Sequence, residues 1–260
     1  MEGKIRKYFK YAIGEIVLVV IGILIALSLN NWNENSNKTK LGYQYLTEMK
    51  SELQNDAIKL DNYIIALKKS IENQEAALNA KDISKLPLDS LAMIVSTINL
   101  DFKMSELTYN KMNNLGITSI SNNDSLNSKI LEYYNTDIVH LKAAMNFIFN
   151  DLIKYNDFQI YELDKIDMSA AFLSSREFPS LYKKSEEEAA KELKSNLVEF
   201  IYSIKGRKLI LYDLDGKRYS LEFLNRYKAK TINLFNAIYN ELKITNPQIK
   251  PLPTLPSKIE

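Results

Sequence analysis

The run Ala12–Leu29 (AIGEIVLVVIGILIALSL) constrains this chain more than any other stretch of its 260 residues. About 20 apolar residues in a helix cross the roughly 30 Å hydrocarbon core of a bilayer, and a run of this length reaches that with help from interfacial side chains. In lipid the backbone must satisfy its own polar groups, so the run is expected to be helical. Lys4, Arg6, Lys7 and Lys10 precede it, whereas Asn30–Asn37 carries one Glu and no Lys or Arg. The positive-inside rule therefore places residues 1–11 in the cytoplasm as a basic stub and residues 30–246 across the membrane. Lys7, Lys10 and Tyr11 at one end and Trp32 at the other suit interfacial anchors. The address read from these features is a bacterial inner membrane, with the bulk of the chain periplasmic. A cleaved leader, with Ala26 and Ser28 near the cleavage site, is the competing reading, and it exports the same residues.

Glu15 stands within this run, where an ionisable group is costly unless paired or near the headgroups. At about 100° per residue, Glu15, Gly22 and Ala26 fall within about 40° of one another on the helix surface. Gly22 and Ala26 form a small-xxx-small pair that lets another helix approach closely. The three residues are expected to form a packing seam between membrane helices, with Lys10 or Lys7 of a neighbouring copy as a partner for Glu15.

The segment Lys10-Tyr11-Ala12-Ile13-Gly14-Glu15-Ile16, running on to Asn30-Asn31-Trp32-Asn33-Glu34, resembles the opening of a family of uncharacterised single-pass membrane proteins common in Bacteroidetes. Similarity to that family continues through Tyr109, Leu115, Gly116, Ile120, Leu126 and Glu132-Tyr133-Tyr134. The resemblance implies a membrane-anchored, largely helical protein and no known activity. Tyr11 and Glu15 also share the spacing of the aromatic first residue and the glutamate of type IV pilins, but Lys10 stands where pilin processing needs glycine.

Beyond the membrane the fold is expected to be mostly α, a helical bundle with long antiparallel helices. Leu46, Met49, Leu53, Ala57, Leu60, Ile64, Leu67, Ile71 and Leu78 recur at steps of three and four, with Gln74 interrupting. The stripe reads as a continuation of the membrane helix, although Gly42 and the Asn-rich stretch before it permit a joint. A second seam runs Ile130, Tyr134, Ile138, Leu141, Met145, Ile148, Leu152 and Tyr155 behind the capping cluster Ser121–Asp124, and is expected to pack antiparallel to the first. Short helices are expected near 90–98 and 105–114, with Gly116 as a C-cap. Ser185 and Glu188 form a capping box for a helix through Leu193, Leu197, Ile201 and Ile204. Residues 207–223 offer a small hairpin turning at Asp215-Gly216, but helix is favoured there because the resembled family is helical. The last helix presents Leu221, Leu224, Thr231, Phe235, Ile238 and Leu242. Residues 247–260, with four prolines, form no core.

Thirty-four basic residues stand against 32 acidic ones, and the basic cluster lies at the membrane flank, so no nucleic-acid partner is expected. Cysteine is absent, which removes disulfides, thiolate metal sites and cysteine nucleophiles. His140 alone makes neither a metal site nor a triad, and it reads as structural or solvent-facing. Asp213-x-Asp215-Gly216 resembles the start of a calcium loop with its glycine two places early. The tyrosines Tyr133, Tyr134, Tyr155 and Tyr161 read as packing residues in preference to a binding groove. No catalytic, cofactor or metal residues are expected, and the chain is read as a scaffold rather than an enzyme. Its partners are the lipid bilayer and a second copy or another membrane protein, with a ligand sensor signalling through such a partner as the alternative.

Overall fold

The computed structural model describes residues 2–95, 103–146, 186–245 and Gln248, with side chains from Glu15 onward. Among them the chain is mostly helical and holds no strand. Helix α1 spans Glu2–Leu78, 77 residues without a break, or about 115 Å at 1.5 Å per residue. Its part from Glu15 onward includes a stretch long and apolar enough to cross a membrane, and none of that stretch is buried in the protein. The helix continues through the Asn-rich segment, and burial begins at Gly42.

Gly42 is not a joint. A Cβ built there would stand 2.1 Å from the Ile120 carbonyl oxygen, so the missing side chain lets the 117–123 loop lie directly on α1. The loop follows α3 (Leu107–Asn114), whose end Gly116 closes at φ +67°. The Ile117 N–H donates to the Met112 carbonyl at 3.0 Å and the Gly116 N–H to that of Asn113 at 3.0 Å, the paired bonds of a Schellman motif.

The α1 seam is buried from Leu46 to Ile71, and Leu78 is half-buried. Its long partner is α6 (Ile204–Thr245). Lys50 lies over the Phe235 ring, Asp61 pairs with Lys228, and Gln74 bonds Lys217. As α1 numbers rise, those of α6 fall, so the two run antiparallel. This corrects the expectation that residues 121–155 would take that place. Helix α4 (Asp124–Glu132), capped by Asn123 onto the Leu126 N–H, instead adds Leu126 and Ile130 to one end of the same core, with Ile138 and Leu141 following. Ile148, Leu152, Tyr155 and Tyr161, the cap Ser185 and the tail prolines lie outside the described residues.

At 207–223 the favoured helix is what the structure shows, and the hairpin alternative falls: α6 runs through it. Ile210, Leu214, Lys217 and Leu224 face the core, a helical spacing that a hairpin would split between two faces. Asp215-Gly216 faces solvent in mid-helix. A second, distal core joins the end of α1, the turn Ile83–Lys85 and α2 (Leu88–Val95) to α5 (Glu186–Tyr202) and Ile210. Leu193, Leu197 and Ile201 are buried in it, whereas Ile204 is 68% exposed because the chain turns at Ser203. The Ser203 hydroxyl donates to the Phe200 carbonyl at 2.7 Å and accepts from the Gly206 N–H at 2.9 Å, ending one helix and opening the next.

Gly42 and Gly216, both helical, are expected to respond oppositely to a methyl group. Gly42→Ala forces the Ile120 carbonyl away and is expected to cost about 1–3 kcal/mol. Gly216→Ala meets nothing within 4 Å, so it is expected to stabilise by about 1 kcal/mol. Thermal denaturation of both full-length variants in one detergent checks the pair; equal effects would contradict the glycine assignment.

Candidate functional site

The densest buried polar chemistry gathers where α1 meets the start of α3 and the segment after α4. Glu52 and Asp56 stand one turn apart on α1. Helix α3 has no side-chain cap of its own, since Glu106 at its N-cap position makes no capping bond. Its free N–H groups are satisfied by α1 instead. The Thr108 N–H and hydroxyl donate to Glu52 Oε1 at 3.1 and 2.5 Å, and the Ser105 N–H donates to Asp56 Oδ2 at 2.8 Å. Two carboxylates at a helix N-terminus also meet the positive end of its dipole.

Helix α4 continues into a π turn over Tyr133–Asp137, closed by the Ile138 N–H on the Tyr133 carbonyl. The wider turn brings the adjacent residues Tyr133 and Tyr134 both inward, and such turns recur at functional sites. Tyr134 stacks on Tyr109 with centroids 4.5 Å apart and meets Tyr133 edge-on at 5.1 Å. The Tyr109 hydroxyl donates to Asn135 at 2.9 Å, and the Tyr133 hydroxyl shares a 2.9 Å bond with Thr231 of α6. Asp137 pairs with Lys230, and Glu106 with Lys142.

Three buried oxygens in this region have no hydrogen-bond partner: Glu52 Oε2, Asp56 Oδ1 and the Tyr134 hydroxyl. Lys59 Nζ lies 3.6 Å from Asp56 Oδ1, an ion pair too long to be a hydrogen bond. Burial pushes the Asp56 carboxyl above its ordinary range. The Ser105 N–H and Lys59 oppose the rise, and the Glu52 charge adds to it. Burial also raises the Tyr134 phenol, with Tyr133, Glu52, Asp56 and Glu106 contributing, so it remains a protonated donor. Chemically the cluster can hold a proton or an ordered water among an acid pair and a phenol. It offers no activated nucleophile.

A second network sits at the far end of α1. Gln74 is fully buried; its Nε2 donates to the Ile94 carbonyl at 2.8 Å and to Asp213 at 3.1 Å, and its Oε1 accepts from Lys217 at 3.1 Å. Lys217 and Asp213 pair at 2.7 Å, 5% and 11% exposed. The residue that interrupts the α1 seam is thus the hub of a buried ion pair, and the Asp213 of the calcium-like pattern is engaged by lysine. Among the described residues no group of three or more His, Cys, Asp or Glu is arranged to hold a metal ion.

The residues singled out from the sequence lie elsewhere. Glu15, Gly22 and Ala26 are exposed on α1, Trp32 is 71% exposed, and His140 faces solvent. Lys7, Lys10 and Tyr11 lie on the α1 backbone, with their side chains outside the described residues. Sequence reasoning missed Glu52, Asp56 and Gln74. A signal existed: Leu53, Asp56 and Leu60 are spaced three then four, as helical as the four-then-three of Leu53, Ala57 and Leu60, so the core stripe includes the acid.

Two stability measurements test these networks. A carboxyl whose folded pKa lies above its unfolded value near 3.8 contributes stability that is whole below that value and is lost as pH rises through the raised one. Asp56→Asn keeps the acceptor for Ser105 and supplies a donor. It is expected to stabilise the protein by about 1–3 kcal/mol near pH 8, with the gain shrinking as pH falls; a gain independent of pH would contradict the assignment. Lys217→Met leaves Asp213 buried without its cation and is expected to cost about 3–5 kcal/mol, read as a lowered denaturation midpoint.

Comparison with known proteins adds one match. No curated protein and no solved structure matches the chain. The matched segment includes the exposed apolar stretch, Gly42, the Glu52–Asp56 pair and the π turn, and it stops before α5 and α6. Over residues 15–140 the chain is similar to a family described as a family of unknown function, DUF6090.

Proposed function

We propose that this protein is a single-pass component of a bacterial inner membrane, with its N-terminus in the cytoplasm and its helical body on the periplasmic side. It acts there as a scaffold that self-associates through its membrane helix, without enzymatic activity. The observation that carries this reading is the exposure of α1 between Ile16 and Leu29. Leu18 is 74% exposed, Leu24 57% and Leu29 60%, on a helix continuous with a well-packed core. Contiguous apolar surface on that scale marks an interaction site, and a bilayer is the solvent that removes its cost. The basic residues before it and the uncharged asparagines after it set the orientation.

Within the membrane, Glu15, Gly22 and Ala26 form the contact between copies. The continuity of α1 also supports a sensing role, because a helix shared by span and core carries a shift of the body into the membrane. In that role a membrane partner carries the output.

The absence of cysteine makes the test clean. In cells with a permeabilised outer membrane, Asn37→Cys is expected to react with an impermeant maleimide, and Glu2→Cys only after the inner membrane is opened. The reverse pattern, or recovery of the chain in the soluble fraction, would overturn the topology. Ala26→Cys is expected to form disulfide dimers, and adding Glu15→Gln to weaken them without loss of insertion; unchanged dimers would count against the seam.

A further inference from the structure

We infer that the partner of α1 is a second copy of this chain and that the contact does not end at the membrane. It continues along the face of α1 turned away from the body, as a parallel two-helix interface reaching to about Ile65. The inference rests on the membrane anchoring proposed above and extends its seam into the folded region.

The first support is angular. At about 100° per residue, the core-facing residues of α1, among them Gly42, Leu46, Leu53, Leu60 and Leu67, centre about 180–190° around the helix from Glu15, Gly22 and Ala26. A pair joined at that seam therefore carries its two bodies on the outside, where they do not collide. Gly42 marks the body side independently, by its approach to the Ile120 carbonyl. Along the seam's own direction α1 presents Gln44, Thr47, Ser51, Asn55 and Asn62, all exposed, with Ile58 and Ile65 half-buried between them. Their steps of three and four are those of a helix–helix stripe.

Charge is the second support, and it selects the occupant. In a parallel two-fold pair each residue on the stripe faces its own copy, so a charged stripe repels itself. Glu48, Lys50, Glu52, Asp56, Lys59 and Asp61 all lie off this one. From Glu15 to Ile65 its charged members are Lys40 and Glu15 itself, for which the basic flank of the other copy supplies a partner. Membrane anchoring holds two copies parallel and at the same height, which supplies the register.

The third support is the collar at residues 30–41. It is helical and exposed on all sides, apart from half-buried Ser36, and none of the described core residues packs on it. Asn30, Asn31, Asn33, Asn35 and Asn37 are weak helix formers, and a lone helix of about 12 such residues is marginal in water. A second α1 alongside gives this segment the packing that the body does not provide.

Single cysteines in the full-length chain in native membranes test the stripe by oxidative cross-linking. Thr47→Cys, Asn55→Cys and Asn62→Cys are expected to form dimers several-fold more readily than the exposed, off-stripe Lys68→Cys and Asn225→Cys. Asn55→Lys is expected to lower the yield at Thr47→Cys several-fold, and Asn55→Gln to leave it. Dimers at Ala26→Cys without dimers at 47, 55 and 62 would overturn the stripe while leaving the membrane seam. No dimers at any position would overturn both, and equal yields on and off the stripe would show collision only and overturn the interface.

Discussion

The structure depends on the antiparallel packing of α1 against α6. Nearly every other element attaches to that pair: α3, the 117–123 loop and α4 close over its proximal half, and α2 and α5 over its distal end. Packing along the pair is what keeps the body part of α1 straight. Helix propensity contributes little to that, because most of a long helix's stability in a protein comes from burying one face. Between Leu46 and Ile71 that face is deeply buried throughout, and it is apolar except at Asp56.

Two polar clusters punctuate the packing, and they differ in kind. At the distal end Gln74, Asp213 and Lys217 satisfy one another and the Ile94 carbonyl, so the buried pair fixes the α1–α6 register. Such a pair adds specificity more readily than stability, since desolvation offsets most of its attraction. At the proximal end Glu52 and Asp56 cap α3 across a helix boundary yet leave an oxygen each without a partner, next to an unpaired phenol. A satisfied network locks geometry, whereas an incompletely satisfied one responds to protonation. The second lies closer along α1 to the exposed apolar stretch.

An unbroken α1 also joins the apolar stretch to the packed body. From Glu15 to Leu41 its residues are exposed save half-buried Ser36, and burial starts abruptly at Gly42, where a backbone carbonyl occupies the space a side chain would take. That contact fixes which face of α1 carries the body. Orientation about the helix axis is thereby transmitted from the core to the exposed apolar stretch.

Much of this was readable in the residues. The apolar run and its flanks, the α1 stripe, the Asn123 cap, the Gly116 terminus and the helical character of the whole follow from local rules: hydrophobic period, capping chemistry and the left-handed preference of glycine. What the sequence left open depended on contacts distant along the chain. Gly42 is a joint by propensity and a site of close approach in the fold, a distinction decided by Ile120. Asp215-Gly216 is a turn by propensity and solvent-facing helix in the fold, because Ile210, Leu214 and Leu224 on either side bury one common face. Gln74 reads as an interruption of the stripe, and it and Asp56 became buried hubs only when Lys217, Ser105 and the tyrosines were brought to them. Local pattern determined which segments are helices and which face each buries. Tertiary structure decided which helices pair and which polar groups lose their water, because both depend on partners dozens to more than a hundred residues away.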